Sequence, residues 1–276
     1  MAPPPTDLSR LCLHTMTTRP WPLEEAVGRY ARAGIGGVTV WRDAYAHCGP
    51  QAAGNLVRGH GLSVVSLCRG GFFAADSAEG RRRAVDENRR VVDEASELGA
   101  PLVVLVCGTA PGVPLEEARR QIAEGIAEVV PHAAAAGVRL AVEPLHPMYA
   151  ADRSAVNTVG QARAICSEIG SPWLGIAVDV YHTWWDDRLA DEIAACGRDG
   201  RLFAFHISDW LSPTTDLLED RGIMGEGRIP IRQIRGWAEE AGFRGFLEVE
   251  IFSRRLWASD QAAFLAKITK AYMAHA

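Results

Sequence analysis

Short apolar runs alternate with longer amphipathic stretches eight times along this chain. The apolar runs have the length and the β-branched content of buried strands. We predict strands over residues 11–14, 37–41, 62–68, 102–106, 138–143, 174–179, 202–208 and 246–251. We predict helices over residues 23–33, 51–59, 78–98, 115–136, 159–169, 188–196, 230–241 and 261–273. This alternation indicates a parallel sheet, because parallel strands need crossover connections.

Eight strand–helix units in 276 residues fit a closed (β/α)₈ barrel, the TIM barrel, with residues 8–276 in one α/β domain. An open doubly wound sheet is the alternative. It is disfavoured because no Gly-x-Gly-x-x-Gly turn follows the first strand, and the cluster Gly70-Gly71 follows the third strand instead. Residues 1–7, which include Pro3, Pro4 and Pro5, are predicted to form a disordered tail.

The composition argues against several classes of protein. The formal net charge is −5, from 34 acidic and 29 basic residues, so the chain lacks the broad positive surface of a nucleic-acid-binding protein. No stretch approaches 18 uninterrupted apolar residues, so no membrane span is expected. The N-terminus has no signal-peptide pattern, and none of the six cysteines forms a Cys-x-x-Cys pair. We therefore expect a cytoplasmic protein with reduced thiols.

Polar side chains end four consecutive strands in the second half of the chain. Glu143, Asp179, His206 and Glu250 each come from a different strand. In a barrel the carboxyl ends of the strands share one face, so these residues are expected to form one patch. Three carboxylates and one imidazole suit one divalent ion, Mn²⁺ or Mg²⁺ first, with Co²⁺ or Zn²⁺ as alternatives.

Strand eight offers two carboxylates, Glu248 and Glu250. Both point to the same face, because side chains alternate along a strand. Glu250 lies nearer the carboxyl end, where barrel sites lie, so we prefer it as the ligand. Glu248 is then expected to lie deeper in the barrel, or outside it if the strand is bulged.

Four segments together resemble the sugar phosphate isomerase/epimerase family, the xylose-isomerase-like TIM barrels. They are Val142-Glu143-Pro144, Val178-Asp179-Val180-Tyr181-His182, Phe205-His206-Ile207-Ser208-Asp209 and Val249-Glu250-Ile251. The family includes ketose 3-epimerases, hydroxypyruvate isomerases, inosose dehydratases and inosose isomerases. The resemblance covers nearly the whole chain and implies an isomerase or epimerase acting on a sugar, keto-sugar or inosose.

The resemblance also implies roles for the strand-end residues. Glu143, Asp179, His206 and Glu250 would bind one divalent metal, commonly Mn²⁺ or Mg²⁺. Glu143 and Glu250 would also face each other across the substrate and move a proton next to its carbonyl. This fits the chemistry, because a metal that chelates the substrate oxygens stabilises the resulting enediolate.

Further residues are candidates for the substrate pocket. His182 matches a histidine that contacts substrate oxygens in the family, although a loop histidine bonded to backbone has the same pattern. Arg221 suits a carboxylate, phosphate or hydroxyl pair, or is an exposed turn arginine. Asp209, three residues after His206, is expected to orient a neighbouring residue, as carboxylates around metal-ligating histidines do. The remaining candidates for substrate contact are Arg69, His146, Trp184 and Trp41.

Three other functions stay open from the sequence. A lyase would use the same metal and base to expel water or the aglycone of a C-glycoside. A phosphate-ester hydrolase is a weaker alternative, because strands three and four end at Cys68 and Cys107 without the histidines of the related zinc endonucleases. A non-catalytic sugar-binding subunit would not need two opposed glutamates. The family resemblance also suggests a homodimer or homotetramer.

Overall fold

Eight parallel strands close into a barrel in the computed structural model, which describes residues 2–276. The barrel strands are β1 (Leu11–His14), β2 (Gly37–Trp41), β3 (Ser63–Gly71), β4 (Leu102–Val106), β5 (Arg139–Val142), β6 (Leu174–Asp179), β7 (Leu202–Ile207) and β10 (Leu247–Val249). Strand β1 pairs with both β2 and β10, which closes the ring. The predicted (β/α)₈ fold is confirmed.

Helices connect the strands and cover the outside of the barrel. They are α1 (Leu23–Arg32), α2 (Pro50–Gly59), α3 (Ala78–Leu98), α4 (Leu115–Ala135), α5 (Val159–Ile169), α6 (Val180–Thr183), α7 (Leu189–Arg198), α8 (Ile231–Glu240), α9 (Arg254–Trp257) and α10 (Gln261–His275). All eight predicted helices are present. The single turns α6 and α9 were not predicted, because four residues are too short to show a helical period.

A small antiparallel ribbon stands beyond the carboxyl end of β7. It pairs β8 (Asp209–Trp210) with β9 (Arg221–Gly222). The ribbon was not predicted, since two-residue strands carry no alternation that a sequence pattern can reveal. It folds the segment between its strands back over the barrel and fixes the position of Arg221.

Strand β3 continues three residues beyond its predicted end at Cys68. Gly70 and Gly71 pair with Leu105 and Val106 of β4, and the side chain of Asn88 bonds to both the N–H and the C=O of Gly71 at 2.7 Å. A Cβ atom on Gly71 would lie 1.9 Å from the Val106 carbonyl oxygen. The glycine pair that looks like a turn signal is therefore required by close packing of the backbone.

The helices pack on the barrel through one apolar face each. Helix α1 buries Leu23, Ala26, Val27 and Tyr30 and exposes its charged residues. Each large apolar side chain buried in this way contributes about 1.5–3 kcal/mol. Helix α3 begins where the Ser77 side chain accepts the Gly80 N–H.

Two expectations concern the chain outside the barrel. Residues 2–7 contain no helix or strand, and the carbonyls of Ala2 and Pro3 accept hydrogen bonds from Arg232 and Arg235 on α8. The predicted division into a disordered tail and one domain stays a prediction. Among residues 2–276, no helix combines the length and the apolar character that crossing a membrane requires.

Candidate metal centre

The four strand-end residues converge at the carboxyl face of the barrel. Glu143 follows β5, Asp179 ends β6, His206 lies in β7 and Glu250 follows β10, and these four strands are consecutive neighbours in the ring. One ligand atom from each residue lies within 4.8 Å of the others. All four side chains are buried, so their charges and polar atoms need partners inside the protein.

The unpartnered atoms of this cluster fit a bound cation. Glu143 Oε1 lies 2.9 Å from His206 Nδ1, yet neither buried atom has a partner with hydrogen-bond geometry. Two ligand atoms that each lie about 2.0–2.2 Å from one metal ion, at an angle near 90°, are about 3 Å apart. The distance between Glu143 Oε1 and His206 Nδ1 has this size. The donor set, three carboxylates and one imidazole, is suited to a hard or borderline divalent ion. The residues present therefore fit the divalent metal that the sequence predicts.

Arg221 joins two members of the cluster from the side of the ribbon. Its Nη1 donates to Asp179 Oδ2 at 3.0 Å and to Glu250 Oε2 at 2.9 Å. Its Nη2 lies 3.1 Å from His182 Nε2. A guanidinium can only donate, so this nitrogen of His182 is the acceptor and the ring proton of neutral His182 is on Nδ1. That Nδ1 is buried without a partner.

Asp179 also builds the short helix that carries His182. Its Oδ1 accepts the N–H of Tyr181 at 2.8 Å, which caps α6. Burial raises the pKa of Asp179 to about 7, and Arg221 opposes this rise. Burial alone would also raise the pKa of Glu250, but His14 and Arg221 lower it well below its ordinary value. The two carboxyls that share Arg221 thus differ in how strongly they hold a proton.

His14 and Glu248 form a second polar layer beneath the cluster. The His14 ring lies edge-on to His206, with 4.7 Å between the ring centroids, and His14 Nε2 is 3.5 Å from Glu248 Oε2. The same carboxylate oxygen accepts hydrogen bonds from Thr39 and Ser66. Glu248, in β10, therefore lies deeper in the barrel than Glu250. His14 was missed as a site residue, although its position at the end of β1 carried the same signal as the four predicted ligands.

Neighbouring carboxylates raise the pKa values of the two buried histidines. Burial alone would lower the pKa of His14, but Glu250 and Glu248 raise it to about 9. Burial has the same effect on His206, and Glu248 and Glu143 raise its pKa to about 9. His14 Nδ1 lies 3.1 Å from both Glu250 Oε1 and the Trp41 indole nitrogen. A protonated Nδ1 donates to Glu250 and cannot accept from Trp41, so the raised pKa favours the bond to Glu250.

A cavity of about 80 Å³ opens over the cluster. Four predicted substrate contacts line it together with Glu143 and Glu250: Trp41, Arg69, His182 and Arg221. The lining also includes residues that sequence reasoning missed: Tyr149, Arg153, Leu218 and Phe252. A larger cavity of about 490 Å³ lies beside it towards α3, and Trp41 and Arg69 line both cavities.

His146 and Trp184 lie outside both cavities, in a neighbouring aromatic group. The His146 ring packs on Trp210 and Trp185 with centroid distances of 5.0 and 5.7 Å, and its Nδ1 accepts the Met148 N–H. Trp184 packs at 6.0 Å from Trp210. Burial lowers the pKa of His146. The structure therefore separates these two residues from the predicted substrate contacts, and their substrate roles stay predictions.

Asp209 orders a loop rather than a histidine. Its two carboxylate oxygens accept the backbone N–H groups of Trp210, Gly225, Gly227 and Ile229 at 2.9–3.0 Å. Gly225, Gly227 and Ile229 lie in the segment that follows Arg221, and Trp210 lies in β8. The neighbours that Asp209 orients are thus backbone groups, and Asp209 itself lies at the start of the ribbon, beyond the end of β7.

The chain is similar to several known proteins in sequence and in fold. A family model described as xylose isomerase-like TIM barrel matches residues 27–268. An inosose isomerase from Halalkalibacterium halodurans is 26% identical over 206 residues, which cover 72% of this chain and 70% of that protein. The crystal structure of protein SMc04130 from Sinorhizobium meliloti 1021 is 48% identical, with a TM-score of 0.94 and coverage of 98% of this chain and 99% of that one.

The crystal structure of an IolI protein with a bound zinc atom shares the fold. Its TM-score is 0.82 at 22% identity, and the match covers 96% of this chain and 97% of that one.

Proposed function

The chain belongs to the xylose isomerase-like TIM barrel family, and on that basis we propose that it is a divalent-metal-dependent isomerase or epimerase of a sugar, keto-sugar or inosose. The reaction is removal and return of a proton next to a carbonyl. The observation that carries the proposal is the convergence of Glu143, Asp179, His206 and Glu250 within 4.8 Å at the carboxyl face of the barrel. The similarity to an inosose isomerase supports the substrate class.

The proposed cofactor is one divalent ion held by these four residues. Mn²⁺ and Mg²⁺ suit a site with three carboxylates, and Co²⁺ or Zn²⁺ suit the imidazole as well. The zinc atom in the related IolI structure supports a divalent metal in this type of barrel. The ion would supply positive charge next to the enediolate that proton removal creates.

Glu143 and Glu250 are the proposed acid/base pair. Both carboxylates line the cavity, so each reaches a substrate bound there. Burial would raise the pKa of Glu250, but His14 and Arg221 outweigh it and hold this pKa well below its ordinary value. The carboxylate is therefore ionised at neutral pH, as a general base must be. A carboxylate on the other side of the substrate carbon returns the proton, which gives epimerisation or isomerisation.

His182 and Arg221 are proposed to orient the substrate oxygens. Burial, together with Arg221, lowers the pKa of His182 well below its ordinary value, so its ring is neutral. Its unpartnered Nδ1–H then suits a hydroxyl or carbonyl oxygen of the substrate. In the alternative reaction, a β-elimination that expels water or an aglycone, the same N–H would donate a hydrogen bond to the leaving group. His146 does not line the cavity, so His182 is the better placed hydrogen-bond donor for that lyase.

A hydrogen-exchange screen tests the proposal. Protein loaded with Mn²⁺ or Mg²⁺, with its metal content measured, is incubated with keto-sugars and inososes in deuterated water. We expect exchange of one substrate C–H and a product of unchanged mass apart from the deuterium. A product lighter by one water would identify the lyase instead. Absence of exchange and turnover across the panel would overturn the proposal in favour of a hydrolase or a sugar-binding protein.

Two variants test the acid/base assignment. Glu143→Gln and Glu250→Gln are expected to lower turnover by about 10²–10⁴-fold. Glu25→Gln, at an exposed pair with Arg29 on α1, is the matched control and should keep full activity. Normal turnover of Glu250→Gln with metal still bound would show that Glu250 does not transfer the proton.

A further inference from the structure

Three arginines line the cavity over the cluster, and they differ in their partners. Arg221 is buried and paired with Asp179 and Glu250. Within residues 2–276, no carboxylate lies at ion-pair distance from Arg69 or Arg153. Their neighbours are aromatic instead. The Arg69 guanidinium lies 4.5 Å from the Phe72 ring centroid, and that of Arg153 lies 5.6 Å from the Tyr149 ring centroid.

Arg69 is unusually short of partners for a half-buried charge. Its Nη1 is shielded from solvent and has no hydrogen-bond partner. Burial lowers the pKa of Arg69, and the nearby positive charge of Arg153 lowers it further. Two like charges facing one small cavity repel each other, and an anion between them would relieve this repulsion. The backbone of Phe72, with φ of +56°, is in a region that non-glycine residues rarely adopt, and it places this ring over Arg69.

The charges of the cluster do not compensate these two arginines. With the proposed divalent ion bound and His206 neutral as one of its ligands, the charges of Glu143, Asp179 and Glu250 would be balanced by that ion together with Arg221. The positive charges of Arg69 and Arg153 then remain without a counter-charge at the mouth of the cavity. An arginine fork matches the planar, two-oxygen geometry of a carboxylate or a phosphate.

We propose that Arg69 and Arg153 bind an anionic group, a carboxylate or a phosphate, at the end of the substrate remote from the reacting carbonyl. This inference rests on the proposed function and narrows its substrate class to acidic or phosphorylated keto-sugars. Arg69 also lines the larger cavity beside the site. A substrate too long for the cavity over the cluster therefore has room to extend into the larger one. Arg221 is not the anion site, because Asp179 and Glu250 already share it.

A matched set of ketohexoses tests the inference on the metal-loaded enzyme. D-Fructose, D-fructuronate and D-fructose 6-phosphate differ only in a hydroxyl, a carboxylate or a phosphate at the end remote from the carbonyl. We expect deuterium exchange of at least one anionic member to exceed that of D-fructose by tenfold or more in kcat/KM. The preferred member identifies the anion as carboxylate or phosphate. Equal kcat/KM for all three would overturn the inference and leave the proposed function intact.

Arginine variants locate the effect. Arg69→Gln and Arg153→Gln should each lower kcat/KM for the anionic ketose by about tenfold to hundredfold, mainly through KM, and lower the D-fructose value by a clearly smaller factor. Arg198→Gln is the control. Arg198 is an exposed arginine at the end of α7, near the amino end of β7 and therefore at the face of the barrel opposite the site. Equal losses on all three ketoses, or the same loss from the control, would overturn the inference.

A binding measurement separates this inference from the proposed function. Calorimetry compares D-glucose 6-phosphate and D-glucuronate with D-glucose on the same metal-loaded proteins. We expect one anionic sugar to bind wild type at least tenfold more tightly than Arg69→Gln or Arg153→Gln, even if no ketose exchanges. Lack of exchange would then count against the proposed function alone. Equal binding to wild type and variants, or no binding of either anionic sugar, would overturn the anion site.

Discussion

The hydroxyl of Thr39 donates a 2.5 Å hydrogen bond to Glu248 Oε2, two strands away around the ring and deep inside the barrel. Ser66 donates to the same oxygen at 3.2 Å. Nε2 atoms of His14 and His206 lie 3.5 and 3.7 Å from it. One buried carboxylate thus gathers hydroxyls and imidazoles from β1, β2, β3 and β7 under the candidate metal centre. Second-layer carboxylates of this kind orient the ligands above them.

Removing the charge of Glu248 should destabilise the barrel. We expect Glu248→Gln to lower the free energy of unfolding of the metal-free protein by about 3 kcal/mol, because the buried imidazoles of His14 and His206 each lose one of their two nearby carboxylate charges. Urea unfolding provides the measurement. Glu25→Gln, which breaks an exposed pair with Arg29, should cost below about 1 kcal/mol. Equal costs for the two variants would show that Glu248 does not stabilise this layer.

Metal binding should stabilise the folded protein through Asp179. A ligand that binds only the native state at about 100 times its Kd adds about 2.7 kcal/mol, so added Mn²⁺ should raise the Tm of wild type and a chelator should reverse the rise. Asp179→Asn should lose most of this metal-induced shift. Asp191→Asn, an exposed residue of α7, is the control. A full Mn²⁺-induced shift in Asp179→Asn would contradict the assigned ligand.

The strand ends were predictable and the loops were not. Glu143, Asp179, His206 and Glu250 could be grouped from the sequence because the repeating strand–helix unit fixes which residues face the carboxyl end of a barrel. Arg153 and Tyr149 reach the same cavity from an irregular segment after β5, and no periodicity describes the path of such a segment. The segment around His146 illustrates the same limit, because His146 was a candidate substrate contact, whereas its ring packs on Trp210 outside the cavity.

Asp209 should determine the order of the loop that follows Arg221. In Asp209→Asn an amide NH₂ replaces one acceptor oxygen, so two of four backbone N–H bonds are lost, at a cost of about 2 kcal/mol. Hydrogen exchange at the amides of Gly225 and Gly227 should become faster. Asp216→Asn is the control, because Asp216 accepts the N–H groups of Leu218 and Glu219 instead. Unchanged exchange at both glycines in Asp209→Asn would contradict the assigned role.

His146 should make the protein less stable as the pH falls below neutrality. Burial lowers the pKa of its imidazole from the ordinary value near 6.5, so in the acid range the unfolded chain binds a proton that the folded ring does not. Stability therefore rises with pH in the interval below about 6.5, and the part due to the neutral ring is lost as the pH falls towards the folded-state pKa. In His146→Gln the free energy of unfolding should fall less than in wild type between about pH 7.5 and about pH 5.5.

The side-chain amide of His146→Gln has an oxygen that can still accept the Met148 N–H, so the comparison isolates the proton. His60→Gln is the matched control, because His60 is an exposed histidine outside the aromatic group. Chemical unfolding of the three proteins at the two pH values gives the slopes. A slope in His146→Gln equal to that of wild type would mean that another group carries the acid sensitivity. A smaller slope would assign the acid sensitivity to His146. Trp185 and Trp210 pack on its ring and exclude the water that a charged ring would need.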